Sequence, residues 1–264
     1  MSIKVGVGGW TFEPWRGVFY PPKHPQAREL EYASRQLTSI EVNGTFYSSM
    51  KPPTFRKWAE ETPDDFVFSL KASRYAVNRK LLATAGESIE RFVTSGIAEL
   101  KSKLGPILWQ FAGTKTFEPD DFAAFLELLP DEVDGLKLRH LVEPRHDSFR
   151  VPGFIEMARA HNVAVVIAES DDYPMIPDLT ADFVYARLQR SVEEIATGYD
   201  GKALDRWADT ARTWAKGGAP EGLPYVDADQ PGAASRDVFV YFISGAKVRN
   251  PAAAMALIER LGGR

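Results

Sequence analysis

The 264-residue chain contains no cysteine. Disulfides, thiolate metal sites and a thiol nucleophile are thereby excluded. Histidine is nearly as scarce, with four in all, so a metal centre built from several imidazoles is not expected. No stretch approaches the ~20 apolar residues that a membrane span needs, and no membrane partner is expected. The opening MSIKVGVGGW runs directly into a strand, without an apolar core of signal-peptide length. A soluble cytoplasmic protein is the simplest expectation. Walker loops, GxGxxG fingerprints and GxSxG elbows are missing. The GVGG at 6–9 is glycine-rich but lacks phosphate-loop spacing, so no organic cofactor is implied. An excess of basic charge is also missing. The net charge of −4 and pI near 5.7 argue against a general nucleic-acid binder, although a local basic groove remains compatible with them.

What is present is ordinary globular composition, 44% hydrophobic and 26% charged. Eight β-type runs recur along the chain: 3–9, 39–43, 66–71, 106–111, 136–144, 163–169, 183–188 and 238–243. Several are almost continuously apolar, as strands covered on both faces should be. Helix-type segments separate them at 28–36, 53–61, 88–105, 118–130, 151–162, 204–216 and 251–262, with apolar residues at helical spacing and prolines or glycines at their ends. This alternation predicts an α/β fold, a single (β/α)8 barrel of eight parallel strands spanning residues 1–264. The stretch 217–237 is too long for an ordinary connection. It precedes the last strand, so it is expected at the bottom of the barrel as a mobile surface loop.

Catalytic groups in such barrels sit where strands end at the C-terminal face. The residues there are Glu41 and Asn43 after strand 2, Lys71 after strand 3 and Gln110 after strand 4. Strand 5 supplies Glu143, Arg145 and His146, strand 6 Glu169 and Asp171, strand 7 Arg187, and strand 8 Tyr241 and Ser244; Trp10 closes strand 1. Glu143 and Arg145 are two apart and so point to the same side of an extended chain. Each alone could be a rim ion pair, but ionisable groups converging on one cavity are costly to keep, and the ring points to a ligand pocket. His140, inside strand 5, has a structural reading as a satisfied core residue, and His24 and His161 as solvated side chains. Glu41, Glu143, Glu169 and Asp171 with His146 offer a less favoured alternative, a site for a hard divalent ion. No residue is assigned as a metal ligand.

The stretches GVGGWTFEPWRGVFYPP, LEYASRQLTSIEVNGTFYSS, VEPRHDSF and DFVYARLQ, taken in order, resemble the DUF72 (YecE-like) family. That resemblance implies a TIM-barrel-like fold and no established reaction. Carried over residue by residue, it implies shared polar positions at Trp10, Glu41, Asn43, Thr45, Tyr47, Lys71, Gln110, Glu143, Arg145, His146 and Arg187. The chain departs from the family pattern late. Gln189 and Arg190 stand where a His-Gly pair is common, Glu169 where aspartate is common, and FISG where Phe-x-Asn-Asp is usual.

The leading functional expectation is an enzyme working by general acid/base chemistry on a polar, anionic small molecule bearing phosphate or carboxylate. Glu143 or Glu41 would be the base and His146 the acid or orienting group. Trp10, Asn43, Tyr47, Lys71, Gln110, Arg145, Glu169 and Arg187 would bind the substrate, with Arg249 a further candidate for the anion. Two alternatives belong to other classes: metal-assisted phosphodiester chemistry on a nucleic acid, and a non-catalytic binding module using the same ring.

Overall fold

In the computed structural model, which describes residues 2–263, the eight apolar runs pair in parallel and close on themselves. The strands are β1 (Ile3–Gly8), β2 (Ser39–Val42), β3 (Val67–Lys71), β4 (Leu104–Gln110), β5 (His140–Glu143), β6 (Ala164–Glu169), β7 (Phe183–Leu188) and β8 (Asp237–Phe242). Each lies beside its sequence neighbours, and β8 returns to β1. The expected (β/α)8 class is therefore the observed one. Closure removes every sheet edge, and burial on both faces accounts for the missing polar alternation along most strands.

Seven helices of eight residues or more surround the strands among the described residues: α1 (Glu29–Gln36), α2 (Pro52–Glu61), α3 (Gly86–Val93), α4 (Pro119–Glu127), α5 (Pro152–Ala160), α6 (Gly201–Ala215) and α7 (Asn250–Arg260). Proline in the first turn starts α2, α4, α5 and α7, where its missing N–H costs nothing. No helix among the described residues is long and apolar enough to cross a membrane. The larger apolar core lies between strands and helices. A smaller one fills the barrel, with Leu108, Leu141, Ala164, Val166, Ala168, Phe183, Tyr185, Phe239 and Tyr241. Those positions fix the parity of the strands: side chains two apart face inward together.

Three local expectations are corrected. The run 136–144 is two elements, because Asp134 and Gly135 both take positive φ and turn a short hairpin, Glu132–Val133 against Leu136–Lys137, before β5 begins. An Asp-Gly pair is the residue choice such a turn demands. The helix expected over 88–105 stops at Val93. Gly96, at φ 106°, packs where a Cβ would meet Pro52 at 2.6 Å, and a 3-10 segment follows over Ile97–Lys103. No helix follows β6 among the described residues, where the sequence also marks none. Finally, the 217–237 stretch is anchored rather than free. Asp178, in the helix-less β6–β7 connection, accepts the Val226 and Asp227 amides at 2.9 and 2.8 Å, and Gln230 bonds the Leu179 amide at 2.8 Å. The long loop thus packs against the connection that carries no helix of its own.

Two glycines of the 6–9 stretch have structural roles. A Cβ on Gly6 would lie 1.9 Å from the Ser39 carbonyl oxygen, and Gly9 turns the chain off β1 at φ 71°.

Candidate functional site

Inward parity at the C-terminal ends of the strands delivers Glu41 from β2, Lys71 from β3, Gln110 from β4, Glu143 from β5 and Arg187 from β7 to one layer. All five are buried. Arg187 is the centre of that layer. Its Nη1 donates to both Glu143 oxygens, at 2.7 and 2.6 Å, and its Nη2 donates to Glu41 Oε1 at 3.1 Å. Gln110 donates its amide to Glu143 Oε2, and Arg145 Nη2 lies 3.3 Å from Glu143 Oε1. Burial by itself would raise the Glu143 pKa. The charges of Arg187 and Arg145 and the Gln110 hydrogen bond overcome it and hold the carboxyl down to about 2. Burial likewise works against the Arg187 charge, and the two carboxylates more than restore it.

A hydroxyl layer lies beneath. Tyr185 donates to Glu41 Oε2 at 2.8 Å and lies 2.9 Å from Ser69 Oγ, while Ser39 Oγ and the Tyr241 hydroxyl are 2.6 Å apart. Burial foremost, with the Glu41 charge adding, keeps the Tyr185 phenol protonated. Tyr241, read from the sequence as a mouth residue, belongs to this deeper layer.

Above Arg187 the barrel opens into a cavity of about 670 Å³, a size that suits a small-molecule site. Trp10, Asn43, Tyr47, Lys71, Gln110, Arg145 and Arg187 line it, so seven of the expected site residues are brought together. Trp10 is held edge-on to Trp58 at 5.1 Å. Tyr47 stands at the rim and is largely exposed. Lys71 is 6% exposed. Its ammonium sits 4.1 Å from the Phe46 ring centroid and makes no hydrogen bond among the described residues. Burial first, and the Arg187 charge second, pull its pKa from 10.5 to about 8. Arg145 stacks on Tyr173 at 4.1 Å, and its Nε is buried with no hydrogen-bond partner among the described residues.

Other expected residues lie elsewhere. Glu41 and Glu143 are present in the cluster but lie beneath the cavity lining, engaged by Arg187. Glu169 is not at the mouth: Ala164, Val166 and Ala168 hold the inward parity of β6, which turns Glu169 outward onto the Tyr199 hydroxyl at 2.7 Å and Trp207 Nε1 at 3.2 Å. Parity counted from β6 would have shown this. His146 turns its Nδ1 to Ser148, accepting the Ser148 amide at 3.2 Å, and caps its own loop. Arg249 donates to the Glu193 carbonyl, and the loop after β8 sends Lys247 to the cavity instead. Asp171 is exposed and pairs with Arg190. Of the carboxylates named for a divalent ion, Glu41 and Glu143 share Arg187, whereas Glu169 and Asp171 lie elsewhere; among the described residues no group of three or more His, Asp or Glu is placed to hold a metal ion. His140 has the core role read for it, accepting Trp109 Nε1 at 3.1 Å and reaching the Pro130 carbonyl at 2.7 Å. Sequence reasoning missed Lys247, Tyr173 and the Ser39–Ser69–Tyr185 layer. Inward parity on β2, β3 and β7 marks that layer, whereas nothing local marks the other two.

Residues 4–264 match the family described as protein of unknown function DUF72. The chain belongs to the DUF72 family. It is 28% identical over 142 residues to the UPF0759 protein YecE of Escherichia coli K12, an alignment covering 52% of this chain and 48% of that protein. It is also 28% identical over 114 residues to the UPF0759 protein YunF of Bacillus subtilis, covering 41% and 39%. The matched stretches thus span half or less of these curated relatives. A DUF72 family crystal structure from Thermotoga maritima superposes with a TM-score of 0.75 over 99% of both chains at 20% identity. One from Enterococcus faecalis gives 0.72 at 16% identity, covering 99% of this chain and 96% of that one. These likenesses support the DUF72 barrel fold and carry no activity. At the last departure from the family pattern, Ser244 takes φ 62°, a left-handed conformation in which asparagine is favoured.

Proposed function

We propose that the barrel mouth is the active site of an enzyme that moves a proton on a small anionic molecule. The observation that carries this reading is Lys71: a buried amine with no hydrogen bond among the described residues, facing a cavity beside two guanidinium groups. Three cations, Lys71, Arg145 and Arg187, stand against two carboxylates, Glu41 and Glu143. The site is one negative charge short, and a carboxylate or phosphate supplies it. Arg145 and Lys247, both on the cavity lining, hold that anion. An amine with a pKa near 8 is half-titrated close to neutral pH, where a general acid or base works best.

In this reading Glu143 and Glu41 are positioning residues. They fix Arg187 and set the field at Lys71, and their own protons are not exchanged. The base expected from sequence at Glu143 or Glu41 is reassigned to Lys71 because the carboxylates are sealed beneath the cavity and Glu143 is far too weak a base at a pKa of about 2.

The test is proton exchange in heavy water. The protein is incubated with a panel of small carboxylic and phosphoric acids, and deuterium entering a carbon position is followed by NMR. Exchange or turnover with the wild type, and not with Lys71→Met, supports an enzyme with Lys71 as the proton carrier. Binding of an anion with neither exchange nor turnover supports the non-catalytic module instead.

A further inference from the structure

We propose that Lys71 also acts covalently: its ε-amine condenses with the aldehyde or ketone carbon of a small molecule whose carboxylate or phosphate is held by Arg145. This rests on the anion-binding reading of the mouth and names the reacting group of the substrate.

The comparison that points to it is between two buried lysines. Lys103 is nearly as buried as Lys71, yet its ammonium is tied to backbone, donating to the Ala59 carbonyl and, at 2.7 Å, to the Thr62 carbonyl. That is how a structural lysine is accommodated, since a buried ammonium needs acceptors. Lys71 has none. The protein holds it against the Phe46 ring with its nitrogen open to the cavity.

Charge balance explains how the fold tolerates this. Arg145 and Arg187 already match Glu41 and Glu143, so the layer is neutral when Lys71 is the free amine. A lysine desolvated in an apolar pocket beside another cation is the arrangement that yields a nucleophilic amine. Apolar walls are present in Met50, Trp58 and Ile243, and the carboxamides of Asn43 and Gln110 face the same cavity.

The step balances with one proton drawn from solvent. The nitrogen lone pair attacks the carbonyl carbon, and the π electrons move to oxygen, which takes a proton. The nitrogen releases a proton, the oxygen leaves as water with a second one, and a protonated C=N bond remains. One carbonyl oxygen and two hydrogens have left as water. The iminium charge then occupies the place of the lysine ammonium, near Glu41 and Glu143, and draws electrons from the adjacent carbon. That activates the carbon for the proton transfer proposed above.

The experiment uses glyoxylate and pyruvate as probes, with borohydride to reduce the C=N bond and mass spectrometry of the whole chain and its peptides. The expected result is one adduct, heavier by the mass of the oxo acid less one oxygen, on the peptide containing Lys71 and absent from Lys71→Met. No adduct, or equal labelling of exposed lysines such as Lys23 and Lys51 in both proteins, overturns the inference. Lactate and glycolate, which carry the carboxylate without the carbonyl, are tested in parallel by thermal shift. If they stabilise the wild type and not Arg145→Ala while no adduct forms, the covalent step fails and the anion site stands. If neither effect is seen, both readings fail.

Discussion

Arg187 and Glu143 face each other across the barrel layer, with one guanidinium nitrogen 2.7 and 2.6 Å from the two carboxylate oxygens, and both side chains are buried. Breaking a buried pair from one side leaves the other charge uncompensated, at a cost of about 3–5 kcal/mol. Glu143→Gln is expected to lower the unfolding free energy by that amount, while replacing both partners with apolar side chains of similar volume should cost less than either single change. Equilibrium denaturation of the three variants checks this.

The same pair predicts an acid response. The folded pKa of Glu143 is about 2, below its ordinary value of 4.5. A depressed carboxylate stabilises the folded state fully above the unfolded pKa and loses that contribution as pH falls towards the folded one. The window is therefore about pH 4.5 down to 2, and the term is on the order of 3 kcal/mol. Denaturation at pH 6 and pH 3 should show a smaller loss in Glu143→Gln than in the wild type, by about 2 kcal/mol.

Lys71 carries the opposite sign. Its folded pKa of about 8 lies below the ordinary 10.5, so the unfolded chain binds more protons between those values and stability rises with pH there. Below pH 8 the buried ammonium is a burden. Lys71→Met should therefore stabilise the protein at pH 7, by on the order of 1–3 kcal/mol, raising Tm by about 2–4 °C per kcal/mol. Amine-selective labelling of the wild type should place half-maximal reactivity of Lys71 near pH 8, well below that of exposed lysines. A variant no more stable than the wild type would contradict the burial argument.

Glu169 is expected to be silent towards ligands. It bonds Tyr199 and Trp207 on the outer face of β6, so Glu169→Gln should cost about 1–3 kcal/mol of stability through lost hydrogen bonds and leave any ligand affinity unchanged.

Asp178 is the anchor of the long loop. Asp178→Ala should speed amide exchange at Val226 and Asp227 by at least tenfold while exchange in β4 and β5 is unaltered. Hydrogen-exchange mass spectrometry reads this directly.

The strands were legible because burial on both faces leaves apolar runs that nothing else in a chain this long needs. The breaks were harder. Asp134–Gly135 carried a turn signal inside a stretch that otherwise scans as one strand. Gly96 ends α3 for a tertiary reason, the close approach of Pro52, which no local pattern contains. The site was legible as a set of strand ends, since Lys71, Gln110, Arg145 and Arg187 do meet at one cavity. The depth of each side chain was not. Whether Glu143 faces a ligand or lies beneath it depends on Arg187, 44 residues away, and the basicity of Lys71 depends on being buried against Phe46. Roles set by burial emerge only when the barrel closes.

The most direct test of an anion site at the barrel mouth is a thermal-shift titration with small carboxylates and phosphates, run on the wild type and on Arg145→Ala. A ligand at ~100 times its dissociation constant adds about 2.7 kcal/mol, or roughly 5–10 °C at this size. An anion site at the mouth predicts such a shift for at least one anionic class, fading with added salt and weakened at least tenfold in affinity by Arg145→Ala. A panel of anions that shifts neither protein, or shifts both equally, would contradict it.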